Sequence, residues 1–415
     1  MALNLNGRCV GSALAAGALA LGAGWSTPAA QAQTDLRVVV SYYSAETGPV
    51  FEKIAEAFER EHPDVNVNIE VVNWDNLFQK LTTDIAGGTA PDVSIIGTRW
   101  LIDFAAQGIA EPLDDYMDEE FRDRFIDVFL EPSIIDGQLY GLPVAASARA
   151  LYYNRDLFER AGIENPPQTW DELREAARKI SGLGDEIFGF GVQGKEIETD
   201  AYWYYALWTH GGELIEDGQS GVDSEAAIQA ANLYKGMIDE GLTQPGVTNY
   251  NREDVQDLFK QGRLGMLLTG PWLRGQMKNE APDVNYGVAA IPQGTTQATY
   301  GVTDSIIMFS TSDAKDAAWE FMKFAFQPEF RKEFNEKEGF LPVLKAVAED
   351  PAFAGNEELA AFIGMLPHAR FAPTIENWEE IADITSRALQ QVYLGEMPAE
   401  EALGAAAEEI DPLLQ

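Results

Sequence analysis

The chain places aromatic side chains where a small molecule could be gripped. Trp74 follows an alternating apolar run, Trp100 ends "SIIGTRW", and Trp272 ends "GMLLTGPW". "AYWYYALW" (201–208) holds five aromatic residues in eight positions. Flat apolar faces beside polar groups suit non-covalent capture: rings stack on the C–H faces of a sugar, and neighbours satisfy its hydroxyls. For covalent or metal chemistry the chain offers less. Its three histidines, His62, His210 and His368, lie far apart, none at ligand spacing with another His or a Cys. Neither a Gly-x-Ser-x-Gly elbow nor a Walker-type phosphate loop, with Ser or Thr after its Gly-Lys, occurs. "GFGVQG" (189–194) matches a dinucleotide fingerprint letter by letter, but its glycines fall inside a strand-like run, and "KEIETD" does not open a packed helix. Carboxylates are too many to single out the spaced pair a glycosidase needs. No cofactor and no metal is expected.

The elements around these residues read clearly. Leu36–Val40 is a buried strand, and Val50, Phe51, Ile54 and Phe58 recur on one helix face until His62-Pro63. Val65, Val67, Ile69 and Val71 alternate as in a strand. Asn73 is placed to cap a helix carrying Leu77, Phe78, Leu81 and Ile85, which Gly87-Gly88 ends, and Val93–Ile96 is a third strand. This order predicts a parallel sheet with helices on both faces. The grammar returns in "ALYYN", "TWDELREAARKI", "EIFGFGV", "EAAIQAANLYKGMIDEGL" and "NREDVQDLFKQGRLGMLLTGPW", and the region beyond Asp313 is mostly helical. Trp100 and Trp272 therefore follow strand ends, where open α/β sheets bind ligands.

Residues 1–32 read as an export signal: Arg8, an apolar stretch over 9–24, and Ala30-Gln31-Ala32 as a cleavage pattern. The mature chain is expected to begin at Gln33 in the periplasm. Cys9, the one cysteine, lies inside that signal, so the exported part has no thiol chemistry. Twenty-nine basic residues face 67 acidic ones, for a net charge of −38, and the signal removes only Arg8 from this balance. Such an excess argues against nucleic acid or anionic lipid as partner; a salt-adapted source is one reading of it.

With these elements in place, the chain resembles the carbohydrate-type solute-binding proteins of bacterial ATP-binding-cassette importers, the group that includes maltose-binding protein. "LYYNRDLFERAGIENPPQTWDEL" is the most specific stretch. "FKQGRLGMLLTGPWLRG", "YGVAAIPQG", "AWEFMKFAFQPEFRKEFNEKEGFLPV" and "RFAPTIENWEEI" follow in family order. The resemblance implies a monomer of two α/β lobes, each a mainly parallel sheet flanked by helices, with a ligand cleft between them. The first lobe would hold 33–144 plus 301–342, and the second 145–300 plus 343–415. "LPVAAS" (142–147) would be the first crossing. Closure by hinge motion around a sugar, then delivery to an inner-membrane permease, would follow, with no covalent step.

The same resemblance nominates the site. "TGPW" would put Trp272 on a sugar ring, and "GTRW" would bring Arg99 and Trp100. Ser44 and Glu46 follow the first strand, Trp74 opens the second helix, and Ser147 and Arg149 lie at the crossing. Trp203 and Tyr204 come from the aromatic stretch, Asp304 from the return crossing, and Arg370 from "RFAPTIENW". "YGVTDS" (300–305) departs from the family pattern by placing a carboxylate there. The favoured ligand is a neutral mono- or disaccharide or a polyol, because no dense basic cluster is visible in so acidic a chain. An anionic or compatible solute (glycerol phosphate, a sulfosugar, a sugar acid) remains the alternative, and a secreted carbohydrate-active enzyme is the third reading.

Overall fold

The computed structural model describes residues 33–195, 199–373 and 375–415. The expected signal and its cleavage point near Ala32 lie outside the described residues. The principal strands are β1 (Thr34–Ser41), β2 (Val65–Val72), β3 (Val93–Gly97), β4 (Leu142–Ser147), β5 (Ala150–Asn154), β6 (Phe188–Phe190), β7 (Leu264–Thr269), β8 (Tyr286–Ala289) and β9 (Val302–Met308). They form two sheets, ordered β2-β1-β3-β9-β4 and β8-β5-β7-β6. Helices flank both, giving the two-lobe α/β architecture.

Local sequence explains the elements. The Thr47–Glu61 helix buries Val50, Phe51, Ile54, Ala55 and Phe58 along one stripe. β1 and β3 are covered on both faces, and their apolar runs are nearly continuous, as interior strands require. β2 sits at the sheet edge, where Val71 stays exposed. Thr169 caps the Trp170–Ser181 helix by accepting from the Glu172 amide. Asn73 occupies the cap position of the Trp74–Ala86 helix but makes no side-chain cap bond there; it lines the central cleft instead.

The mainly parallel sheets expected above are found, each with one reversed strand. β1 pairs parallel with β2 and β3, but β9 runs antiparallel to both β3 and β4. In the second sheet β7 is parallel to β6, while β5 is antiparallel to both β7 and β8. The reason lies in the connections. Strands that end at the cleft share one direction. β9 and β5 each arrive from the opposite lobe, start at the cleft, and so must run the other way. Neighbouring segments of sequence cannot reveal this, because the reversal is set by which lobe a strand comes from.

The chain crosses three times. β4 leads out of the first sheet and β9 leads back. Then Leu341 donates its amide to Ala146 at 2.9 Å, and the following residues stay on the first lobe, with Ile126 donating to Val343 and Lys345 to Arg124. The Glu357–Met365 helix packs on β5 and β8, and the Trp378–Leu394 and Ala399–Ile410 helices pack on the second lobe.

Candidate ligand cleft

The lobes enclose a cleft of about 540 Å³, within the usual range of small-molecule sites. Its first wall is made of strand ends: Tyr42, Tyr43 and Ser44 after β1, Trp74 and Asp75 after β2, Thr98, Arg99 and Trp100 at the end of β3, and Thr303 and Asp304 at the start of β9. The Tyr43 hydroxyl donates to Asp304 Oδ2 at 2.8 Å. Burial raises the Tyr43 hydroxyl well above its ordinary range and the Asp304 charge adds to this, so it stays a donor. Beneath this wall a hydroxyl chain joins Thr303 to Thr98 (3.0 Å), Thr98 to Ser305 (2.7 Å) and Ser305 to Ser133 (2.8 Å).

The second wall is helical. The Arg252–Lys260 helix presents Arg252, Gln256 and Lys260 at four-residue spacing, and Trp272, Gln276 and Glu280 repeat that spacing along the next helix. The two ladders meet where Lys260 bonds Glu280 at 2.7 Å and Asp257 at 2.8 Å. Burial pulls the Lys260 ammonium down, but these two carboxylates outweigh it and hold it above its ordinary range. Gln256 is buried and donates to Thr269 at 2.8 Å.

Trp272 joins the walls. A side chain at Gly270 would run into the Trp272 ring, which explains the glycine of "TGPW": the indole folds back over the backbone. Arg149 lies over the ring with its guanidinium carbon 4.7 Å from the centroid, and Arg252 does so at 5.1 Å. Arg149 is 4 % exposed and donates to Ser147 Oγ at 2.6 Å, while its amide bonds Thr299 Oγ1 at 2.9 Å.

Of the residues nominated from sequence, the cleft brings together Ser44, Trp74, Arg99, Trp100, Ser147, Arg149, Trp272 and Asp304. Trp100 is mostly a support, packed edge-on against Trp74 and Phe78. Arg99 reaches across the lobes to Glu379. Four others stand elsewhere. Glu46 pairs with Lys337 at 3.0 Å outside the cleft lining. Arg370 pairs with Glu213 and lies over Trp208. Trp203 and Tyr204 are each 0 % exposed, Trp203 bonding the Ala227 carbonyl and Tyr204 packing on Trp208, Tyr300 and Trp378. Residues 201–208 of their helix, Thr199–Thr209, are buried on every side, so this stretch is core. Tyr43, Arg252, Gln256, Lys260, Gln276 and Glu280 were missed. The four-residue spacing of the two ladders is visible in "NREDVQDLFKQGRLGMLLTGPW" and the residues after it, but nothing in the spacing itself points to a cleft.

A two-walled cleft at opposing strand ends is the setting in which the family becomes plain. The model of the bacterial extracellular solute-binding proteins matches residues 43–332. The chain belongs to that family. This solute-binding protein is 59 % identical over 384 residues to a chain of Brucella abortus (strain 2308) named as a binding protein, covering 92 % of this chain and 93 % of that one. It is 28 % identical over 334 residues to the maltotriose-binding protein of Pyrococcus abyssi, covering 78 % and 70 %. Among solved structures, an ABC-transporter solute-binding protein from Thermotoga lettingae bound with α-D-tagatose matches with a TM-score of 0.87 and 26 % identity, over 92 % of this chain and 100 % of that one.

Proposed function

We propose that this chain is a periplasmic receptor that captures a neutral sugar or polyol of mono- or disaccharide size and hands it to an ABC import permease unchanged. The observation that carries the reading is the cleft itself: about 540 Å³, walled by both lobes, with aromatic faces and with three of its cations, Arg99, Arg252 and Lys260, already matched by carboxylates. Arg99 is engaged by Glu379, Arg252 by Glu253, and Lys260 by Asp257 and Glu280. A charged ligand would have to compete with these pairs, whereas hydroxyls fit among them as donors and acceptors. The sugar ligands named for the Pyrococcus and Thermotoga relatives support the same class. For closure we take the lobes as 33–144 with 301–350, and 145–300 with 351–415. A second reading, an anionic sugar derivative, is favoured by one feature only: Arg149 and Arg252 both lie over Trp272.

The test is thermal unfolding against a panel of mono- and disaccharides, polyols, sugar acids, sulfosugars, glycerol phosphate and compatible solutes. A ligand at about 100 times its Kd adds roughly 2.7 kcal/mol, a shift of a few degrees at this size. Stabilisation by related sugars, lost in Trp272→Ala, is expected. Stabilisation by anions alone would move the assignment to the second reading, and disappearance of a sugar with formation of products would sink both.

A further inference from the structure

The Pro328–Glu338 helix carries three buried polar side chains on one face, at i, i+4 and i+7: Arg331, Asn335 and Glu338. A helix that merely filled the core would be apolar there. Each of the three reaches a segment around the crossings. Asn335 donates to the Phe340 and Leu341 carbonyls at 3.3 and 3.0 Å, in the segment that bonds the first crossing at Ala146. Glu338 accepts from Thr47 at 2.6 Å, at the start of the first helix beside the cleft residue Ser44. Arg331 donates to the carbonyl of Val144, in the middle of the first crossing.

Val144 is a particular residue of that strand. Asp304 faces Ala145 and Ser305 faces Pro143, so Val144 has no opposite number in the β9 ladder. It is the extra residue of a bulge, and bulges bend a strand and re-aim the side chains that follow. Those side chains are Ser147 and Arg149, both in the cleft lining.

Arg331 is a costly way to hold one carbonyl. It is completely buried, sandwiched near Phe334 and Phe326 at 4.3 and 5.2 Å, and its Nε and Nη1 find no acceptor among the described residues. Burial pulls its guanidinium down to about 9. Replacing such a charge with an apolar side chain of similar volume is often neutral or stabilising. Stability therefore does not account for it.

We infer that Arg331 is a positioning residue for ligand capture: its hydrogen bond to Val144 fixes the bulge in the first crossing strand and thereby aims Ser147 and Arg149 into the cleft. The cleft's use as a sugar site rests on the reading proposed above; the hold of Arg331 on the bulge does not.

The experiment compares the wild-type protein with Arg331→Met, Arg331→Gln and Arg331→Lys. Met fills the space without a donor, the Gln amide stops short of the carbonyl, and Lys keeps a long donor. Hydrogen exchange without ligand is read over 142–149 and, as control, over β7 in the second lobe. Arg331→Met is expected to melt no lower than wild type yet to exchange about tenfold faster or more at 142–149 alone. Arg331→Lys should restore protection. Should Met prevent folding, Arg331→Gln carries the same expectation of local loss. Unchanged exchange at 142–149 in a folded Met or Gln variant overturns the proposal. So does an equal rise in β7, which marks general loosening. Titration with maltose then reads capture, expected to weaken about tenfold in Arg331→Met. If wild type binds no maltose, that result bears on the choice of sugar, and the exchange data still decide Arg331.

Discussion

The two walls of the cleft are built by different means. The first is a row of strand ends, where the backbone of a buried sheet sets the place of Tyr43, Trp74, Thr98 and Asp304. Their placement comes from the sheet and from the hydroxyl chain beneath it. The second wall is two helix faces, where long side chains are placed by one another through the Lys260–Glu280 and Lys260–Asp257 pairs. Strand ends of a buried sheet give rigidity; paired helix side chains give a polar surface whose cations are matched by carboxylates. The expectation is that the first wall sets geometry and the second sets which solutes are tolerated.

That contrast can be broken. The largest effect belongs outside both walls: Trp203→Ala should cost about 3–5 kcal/mol of stability while the folded fraction binds as wild type. A measured loss of affinity would put Trp203 back in the site. On the second wall, Trp272→Ala should weaken sugar binding by about tenfold or more, as expected for loss of a stacking face plus its buried area. Calorimetric titration reads it, and wild-type affinity would leave the cleft without its main contact. On the first wall, Trp74→Ala should cost less, roughly 0.5–1.5 kcal/mol, because Trp100 and Tyr43 remain to fill part of the gap. Equal losses at Trp74 and Trp272 would remove the distinction between the walls.

Between the walls, Arg99 and Glu379 form an inter-lobe pair, and the Asn377 amide donates to Asp103 at 3.1 Å beside it. Glu379→Ala should weaken binding by about 1 kcal/mol or less, since both partners are partly exposed, chiefly by faster release and less so at high salt. No change in release rate would mean the pair is not a closure contact. The smallest effect is a pH dependence. Burial raises the Glu338 carboxyl, against the hydrogen bonds from Thr47 and Ser44. A carboxyl raised in the folded state binds its proton more tightly there than in the unfolded chain. Its contribution therefore falls as pH rises from the ordinary glutamate range through the raised value. Glu338→Gln should flatten that slope in melting curves taken across this window; an unchanged slope would assign it to other groups.

The order of strands and helices was legible because each is encoded by neighbours: apolar spacing, caps, and the Gly and Pro breaks. Trp272 and Trp100 were legible for the same reason, since a local run showed that each follows a strand end. Trp203 was not separable from them by residue type. What decided it was packing: its helix lies against the Glu225–Asp239 helix and the C-terminal Trp378–Leu394 helix. The "REDVQDLFK" ladder failed in the opposite sense, because a polar helix face looks alike whether it meets solvent or a cleft.

The sequence by itself determined the elements, the α/β class, the exported reading and the candidate status of the strand-end tryptophans, all properties of side chains a few residues apart. Only the tertiary structure decided the reversed strands β5 and β9, the partner of Arg99 lying 280 residues away, and the carbonyl that Arg331 holds. These depend on which lobe a segment enters and on what it meets there. No local pattern carries that information, because burial and hydrogen-bond partners exist only once distant parts of the chain are brought together.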